Sequence, residues 1–255
     1  MRLTLIAASV LAVLSVAPAF AEDAPSPVTG NFTIASEYVY RGIAQTNRKP
    51  AVQGGLDYAG PFGLYAGTWA SSISWLSDSA PGVSAPMEWD FYGGIKFPVG
   101  PVGLDFGVLK YYYPGTYPTG FASPDTLEVY GAASYEFATF KYSYSLTNLF
   151  GAQSTQLNGS LKKSEGSQYF DLSANPDLGG GFTLNLHVGR QLVANFPGAS
   201  YNDWKAGVTK DVKGWAVGLA YIGTSARAST GDFYRSVLNR DLGSDRIVAT
   251  VGKTF

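Results

Sequence analysis

The chain has no cysteine, and that absence removes several classes of protein at once. It leaves no disulfide, no thiolate metal site and no lipid-bearing cysteine. Histidine is almost missing as well, with His187 alone. Charged residues make up only 15% of the chain, against roughly a quarter in ordinary soluble proteins. The 18 Lys+Arg and 19 Asp+Glu nearly cancel. Without a basic excess or stripe there is no footprint for nucleic acid, and no such partner is expected. We find no metal-ligand spacing, no phosphate-cradling glycine loop and no nucleophile elbow. No catalytic residue, metal or cofactor is therefore expected. A lone imidazole such as His187 reads as a hydrogen-bonding wall residue.

Long apolar runs are also lacking, except at the start. "MRLTLIAASVLAVLSVAPAFA" places Arg2 before an apolar stretch from Leu3 to Val16 and closes on Ala19-Phe20-Ala21. Residues 1–21 read as a secretory signal peptide, with the cut expected between Ala21 and Glu22. The run falls short of the ~20 residues that span a bilayer. Residues 22–28 are expected to form a short periplasmic segment. An exported chain with no later apolar run is either soluble or crosses a membrane with strands.

The abundant features decide between these. Aromatics reach 15% and glycine 31 residues, and after Val28 the apolar residues fall at every second position. "NFTIASEYVY" sets Phe32, Ile34, Tyr38 and Tyr40 against Asn31, Thr33 and Glu37. "GFTLNLHVGRQ" sets Phe182, Leu184, Leu186 and Val188 against Thr183, Asn185 and His187. Period two with one apolar face is the mark of a strand between two environments. Twelve such strands are expected, over residues 29–42, 51–60, 62–74, 86–97, 101–113, 126–137, 139–149, 165–175, 180–191, 203–212, 215–224 and 245–255. Most are ten residues or a little longer, the length of a tilted transmembrane strand. The phase of 62–74 is ambiguous, because "GLYAGTWASS" carries large residues on both faces.

Connections strictly alternate between short and long. Tight ones fall near residues 60–63, 98–103, 137–140, 175–181 and 212–215; long ones cover 43–50, 75–85, 114–125, 150–164, 192–202 and 225–244. An up-and-down barrel with short periplasmic turns and long extracellular loops has this rhythm. The expected fold is thus all-β: an antiparallel transmembrane barrel occupying residues 29–255. Strand 245–255 would close the ring against strand 29–42, so neither is an open edge. Its terminal Phe255 resembles the signal read by the bacterial barrel-insertion machinery, which becomes an expected partner. Tyr38, Tyr40, Tyr58, Trp75, Tyr112, Phe137, Phe140, Phe150, Trp204 and Trp215 are expected in aromatic girdles at the two interfaces. Lys110 and Lys253 interrupt the apolar face near strand ends, where lysines snorkel to headgroups.

The block "SEYVYRGIAQTNRKPAVQGGLDY", with "GLYAGTWASS" and "EWDFYGG" after it, resembles the TorF family of proteobacterial outer-membrane barrels, which are porins by name. The resemblance is densest over the first ~130 residues. It implies location and fold, and brings no catalytic or ligand residues.

Twelve strands ~4.8 Å apart and tilted ~40° give a backbone radius of about 12 Å. The lumen is then on the order of 10 Å wide, provided no loop folds in. The phasing turns Glu37, Asp57, Glu88, Asp90, Asp105, Glu128, Glu136 and Asp171 inward, with Arg41, Lys96, Lys141, Lys205, Arg246 and His187. Eight acids against five Lys and Arg suggest a weak cation preference. The same charges also serve as cross-strand pairs that stabilise the wall. The expected function is passive diffusion of small polar solutes across the outer membrane, in contact with its lipid and lipopolysaccharide. The alternative is a plugged barrel that acts through its extracellular loops, as a surface-binding or structural protein.

Overall fold

In the computed structural model, residues 26–156, 159–226 and 233–255 are described. The signal segment 1–21, its cut site and most of segment 22–28 lie outside them, as do parts of loops 150–164 and 225–244. Twelve long strands form the wall: β1 Val28–Ala35, β2 Ala51–Ala59, β3 Leu64–Ser72, β4 Met87–Val99, β5 Val102–Tyr112 and β6 Thr126–Tyr135, then β7 Ala138–Ser145, β8 Gln168–Ala174, β9 Phe182–Leu192, β10 Tyr201–Val212, β11 Trp215–Thr224 and β12 Arg246–Thr254. Each pairs antiparallel with its sequence neighbours, and β12 returns to β1 through Asn31↔Thr254 to Ala35↔Thr250. The ring is closed. Beyond the last strand, Gly30 and Phe255 exchange both backbone hydrogen bonds, at 2.7 and 2.9 Å.

Alternation along each strand sorts the side chains. On β12, Ile247 and Val251 face out, while Val248 and Gly252 are buried inward. Phe32, Ile34, Leu56, Phe91, Phe106 and Leu219 are exposed on the outer surface. An apolar belt of this extent on a closed wall needs hydrocarbon around it. The charged residues of the outer face, Lys110, Arg190, Lys210 and Lys253, all sit within two residues of a strand end. Lys110 pairs with Asp125 at 3.4 Å, and Lys253 lies 5.5 Å from the Trp215 ring. Among the described residues no helix is long and apolar enough to cross a membrane.

Strand β3 settles its ambiguous phase: Tyr65, Trp69 and Ser71 point inward, and Leu64, Thr68 and Ser72 outward. Glycine explains how a narrow bore holds so many aromatic rings. Tyr92 of β4 lies across Gly67 of β3, its directly paired residue, where a Cβ would sit 2.4 Å from the ring. Tyr130 of β6 lies across Gly107 of β5 in the same way, 2.5 Å from such a Cβ.

Four expectations need correction. Strand one does not run to residue 42: β1 stops at Ala35, and Glu37 and Arg41 leave the wall. Tyr38 and Tyr40 are not in a girdle but inside the lumen. Trp75 and Phe150 likewise pack inward, against Tyr113 at ring separations of 5.7 and 6.4 Å. Glu136 does not face the lumen; it is exposed in the β6–β7 turn with a φ of 51°. An apolar residue looks alike in sequence whether it meets lipid or a packed interior, so period two cannot tell where a strand leaves the wall.

Candidate functional site

The lumen is the candidate site, and its main occupant is the chain's own loop. After Ala35 the backbone turns inward and forms a small hairpin, with Val39 paired to Ala44 and Tyr40 to Ile43. Arg41 and Gly42 make its tip, both at positive φ (45° and 78°). Gly42 is required twice over, since a Cβ there would also lie 2.7 Å from Asp203 Cβ on the barrel wall.

Arg41 is the crossbar. Its guanidinium donates to both carboxylate oxygens of Glu128 on β6, at 3.0 and 2.8 Å, and to Gln191 Oε1 on β9 at 3.0 Å. It also stacks 4.2 Å from the centroid of Tyr169 on β8. In a ring of twelve, β6 to β9 stand across from β1, so the hairpin bridges the bore. The Arg41 and Glu128 side chains are 7% and 2% exposed. Burial pulls the guanidinium's pKa down, but the Glu128 carboxylate overrides this and holds it above the ordinary arginine value.

The hairpin divides the lumen unequally. On the β1–β6 side it completes an aromatic core with Tyr38, Trp69, Tyr111, Tyr113 and Tyr130. The acids there are absorbed by hydroxyls and bases. Glu88 accepts from Tyr38 at 2.7 Å and Tyr113 at 2.9 Å. Asp57 accepts from Tyr92 at 2.7 Å, and Asp105 from Tyr65 at 2.6 Å. Lys96 pairs with Asp105 at 3.7 Å, and Arg246 with Glu37 at 3.2 Å. Asp90 is buried with Oδ1 unbonded.

On the β7–β12 side a cavity of about 310 Å³ remains beneath the hairpin tip. It runs down to Asn175, Thr209 and Thr250, toward the short turns. Arg41, Lys141, Asp171, His187 and Lys205 line it, and so does Asp203, which the sequence reading omitted. Asp203 shares the parity of Lys205 on β10, so the signal was present. Gln191 and Tyr169 were missed too, although they share parity with His187 and Asp171.

His187 sits between two carboxylates. Nδ1 is 3.2 Å from Asp171 and Nε2 is 2.7 Å from Asp203. Ser173 Oγ lies 3.3 Å from His187 Nδ1 and donates to Asp171 at 2.6 Å. The serine, histidine and aspartate of a hydrolytic triad are thus in contact. Yet each ring nitrogen faces a carboxylate, so neither is left as a lone pair to take the serine proton. Among the described residues no cluster of His, Asp or Glu is arranged to hold a metal.

Similar folds are known, at low sequence identity. The NanC porin superposes with a TM-score of 0.53 at 9% identity, covering 89% of this chain and 98% of that one. A membrane protein solved in work on the mechanism of in-meso crystallisation superposes with a TM-score of 0.50 at 8% identity, covering 89% and 83%. Both likenesses concern the barrel fold. No curated protein matches the sequence. Residues 19–255 match the bacterial proteins of unknown function designated Gcw_chp, and the chain belongs to that family.

Proposed function

We propose that the protein is an outer-membrane channel for passive diffusion of small polar solutes, with a bore narrowed by hairpin 36–50. The observation that carries this reading is the two-sided wall: an unbroken apolar outer belt around an interior of charges, hydroxyls and amides. Lipid accounts for the first and water-borne solutes for the second. Outer-membrane lipid, lipopolysaccharide at the long loops and the insertion machinery acting on Phe255 are the partners this implies. The resemblance to TorF porins fits the same reading. An enzymatic role is not proposed, because the histidine of the one triad-like cluster is fully engaged by carboxylates.

One observation favours the alternative of a plugged barrel acting through its loops: Arg41 is bonded to the far wall. Planar-bilayer recordings of folded, heat-modifiable protein separate the two. Discrete conductance steps support the channel. Silence from the wild type and from a hairpin-loosened R41A variant alike moves the function to the loops.

A further inference from the structure

The weak cation preference expected from sequence counts every inward charge as facing the conduit. The hairpin changes which charges do. Of the eight acids expected inward, only Asp171 lines the remaining cavity; the bases Arg41, Lys141 and Lys205 all line it. Asp171 and Asp203 both close on His187. Arg41 is neutralised by Glu128 from outside the cavity. The His187 imidazolium offsets only one of the Asp171 and Asp203 carboxylates, so against the two ammonium groups of Lys141 and Lys205 one negative charge remains and the cavity keeps a single net positive charge. Lys205 has neither a hydrogen bond nor an ion pair among the described residues. Lys141 has only the face of Tyr130, at 3.8 Å.

These lysines stand on neighbouring rows of the strand register, one inward-facing position apart. Lys141 on β7 is directly paired with Asp171 on β8, and Lys205 on β10 with His187 on β9. Ser143 and Thr139 flank Lys141, while Asn185 lies one inward position below His187 and Thr209 two below Lys205. An ammonium is a compact charge that takes an oxyanion without a fixed fork geometry. The surrounding hydroxyls and amides suit a ligand that carries hydroxyls of its own. At about 310 Å³ the cavity is at the small end of ligand-sized pockets.

We propose that the half-lumen beneath the hairpin is a binding site for small hydroxylated carboxylates, held by Lys141 and Lys205, and that the pore favours anions. The inference rests on the channel reading for a passing solute to fill the site. Its binding test does not depend on conduction.

Titration calorimetry of the folded mature chain in detergent, with gluconate, is expected to give saturable binding. Sorbitol, the uncharged counterpart, gives none. K205Q weakens gluconate binding roughly tenfold, the size of one charged hydrogen bond, and K141Q/K205Q abolishes it. Lys205 has no partner to lose, so K205Q alone keeps the test valid if the double variant does not fold. Absence of saturable binding, or equal binding by K205Q and the wild type, overturns the site. Tighter binding of inorganic phosphate than of gluconate overturns the carboxylate assignment. In a salt gradient the reversal potential is expected on the anion side and moves toward cations in K141Q/K205Q; a cation-side wild type overturns the selectivity. Binding without conductance would sink the channel and keep the site, whereas conductance without binding would do the reverse.

Discussion

Replacing Arg41 by alanine is the sharpest single perturbation of this molecule. The side chain makes a two-pronged bond to Glu128 and a third bond to Gln191. Both charges of the pair are almost fully buried, at 7% and 2% exposure. Removing one partner of a buried pair costs about 3–5 kcal/mol, because the other charge is stranded. In R41A, Glu128 keeps only the hydroxyls of Tyr111 and Ser145, each at 3.2 Å. The hairpin is outside the hydrogen-bonded ring, so the loss falls first on its docking. Two chains ~4.8 Å apart with their side chains fill roughly half of a bore on the order of 10 Å. Undocking is therefore expected to raise conductance about twofold. Lysine keeps the charge but not the fork, so R41K falls between. The assay is a double-mutant cycle of R41A and E128A on urea unfolding, with conductance recorded for each variant. A coupling of about 2–3 kcal/mol is expected. Coupling below about 0.5 kcal/mol, together with unchanged conductance, would refute the crossbar.

Other outcomes follow from the same contacts. G42A should release the hairpin as R41A does, since its Cβ would be driven into Asp203 at a φ of 78°; unchanged conductance would count against the tip's close seat. G107A should displace the Tyr130 ring and cost about 1–3 kcal/mol in urea unfolding, as overpacking does, whereas G100A, in open space, bears only the strain of its turn. H187A should leave Asp171 and Asp203 without their shared donor, lowering stability by about 1.5–3 kcal/mol and changing no ester hydrolysis, because none is expected of the wild type. F255A should lower the heat-modifiable fraction in cells while detergent refolding stays intact, and the membrane-inserted chain should begin at Glu22 on N-terminal sequencing.

Much of the wall was legible because alternation and loop length are local properties. The twelve strands, their antiparallel order and the closure of "DRIVATVGKTF" on "NFTIASEYVY" are all present in the structure. The interior was legible only in part. Tyr38 and Tyr40 continue the period of Phe32 and Ile34, yet they exchange lipid for an aromatic core. Only the "RG" pair at 41–42, a turn inside an otherwise regular strand pattern, hinted that the chain leaves the wall. Counting charges leaves out a related step. Parity says which residues face in, but not which of them the hairpin then covers. Glu88 and Lys205 are alike by parity, and one is sealed under Tyr38 while the other lines open space.

The crossbar also bears on the order of events during biogenesis. Arg41 belongs to the earliest-made part of the barrel, while Glu128 and Gln191 lie 87 and 150 residues further along. Contacts so distant in sequence form late, after the intervening chain has been ordered. Until β6 and β9 are in place the first hairpin has nowhere to dock. When they arrive, the staves that seat it are nearly the whole circle. Narrowing the hole and completing the ring thus become one step, and the membrane is spared a stage in which a finished cylinder stands wide open.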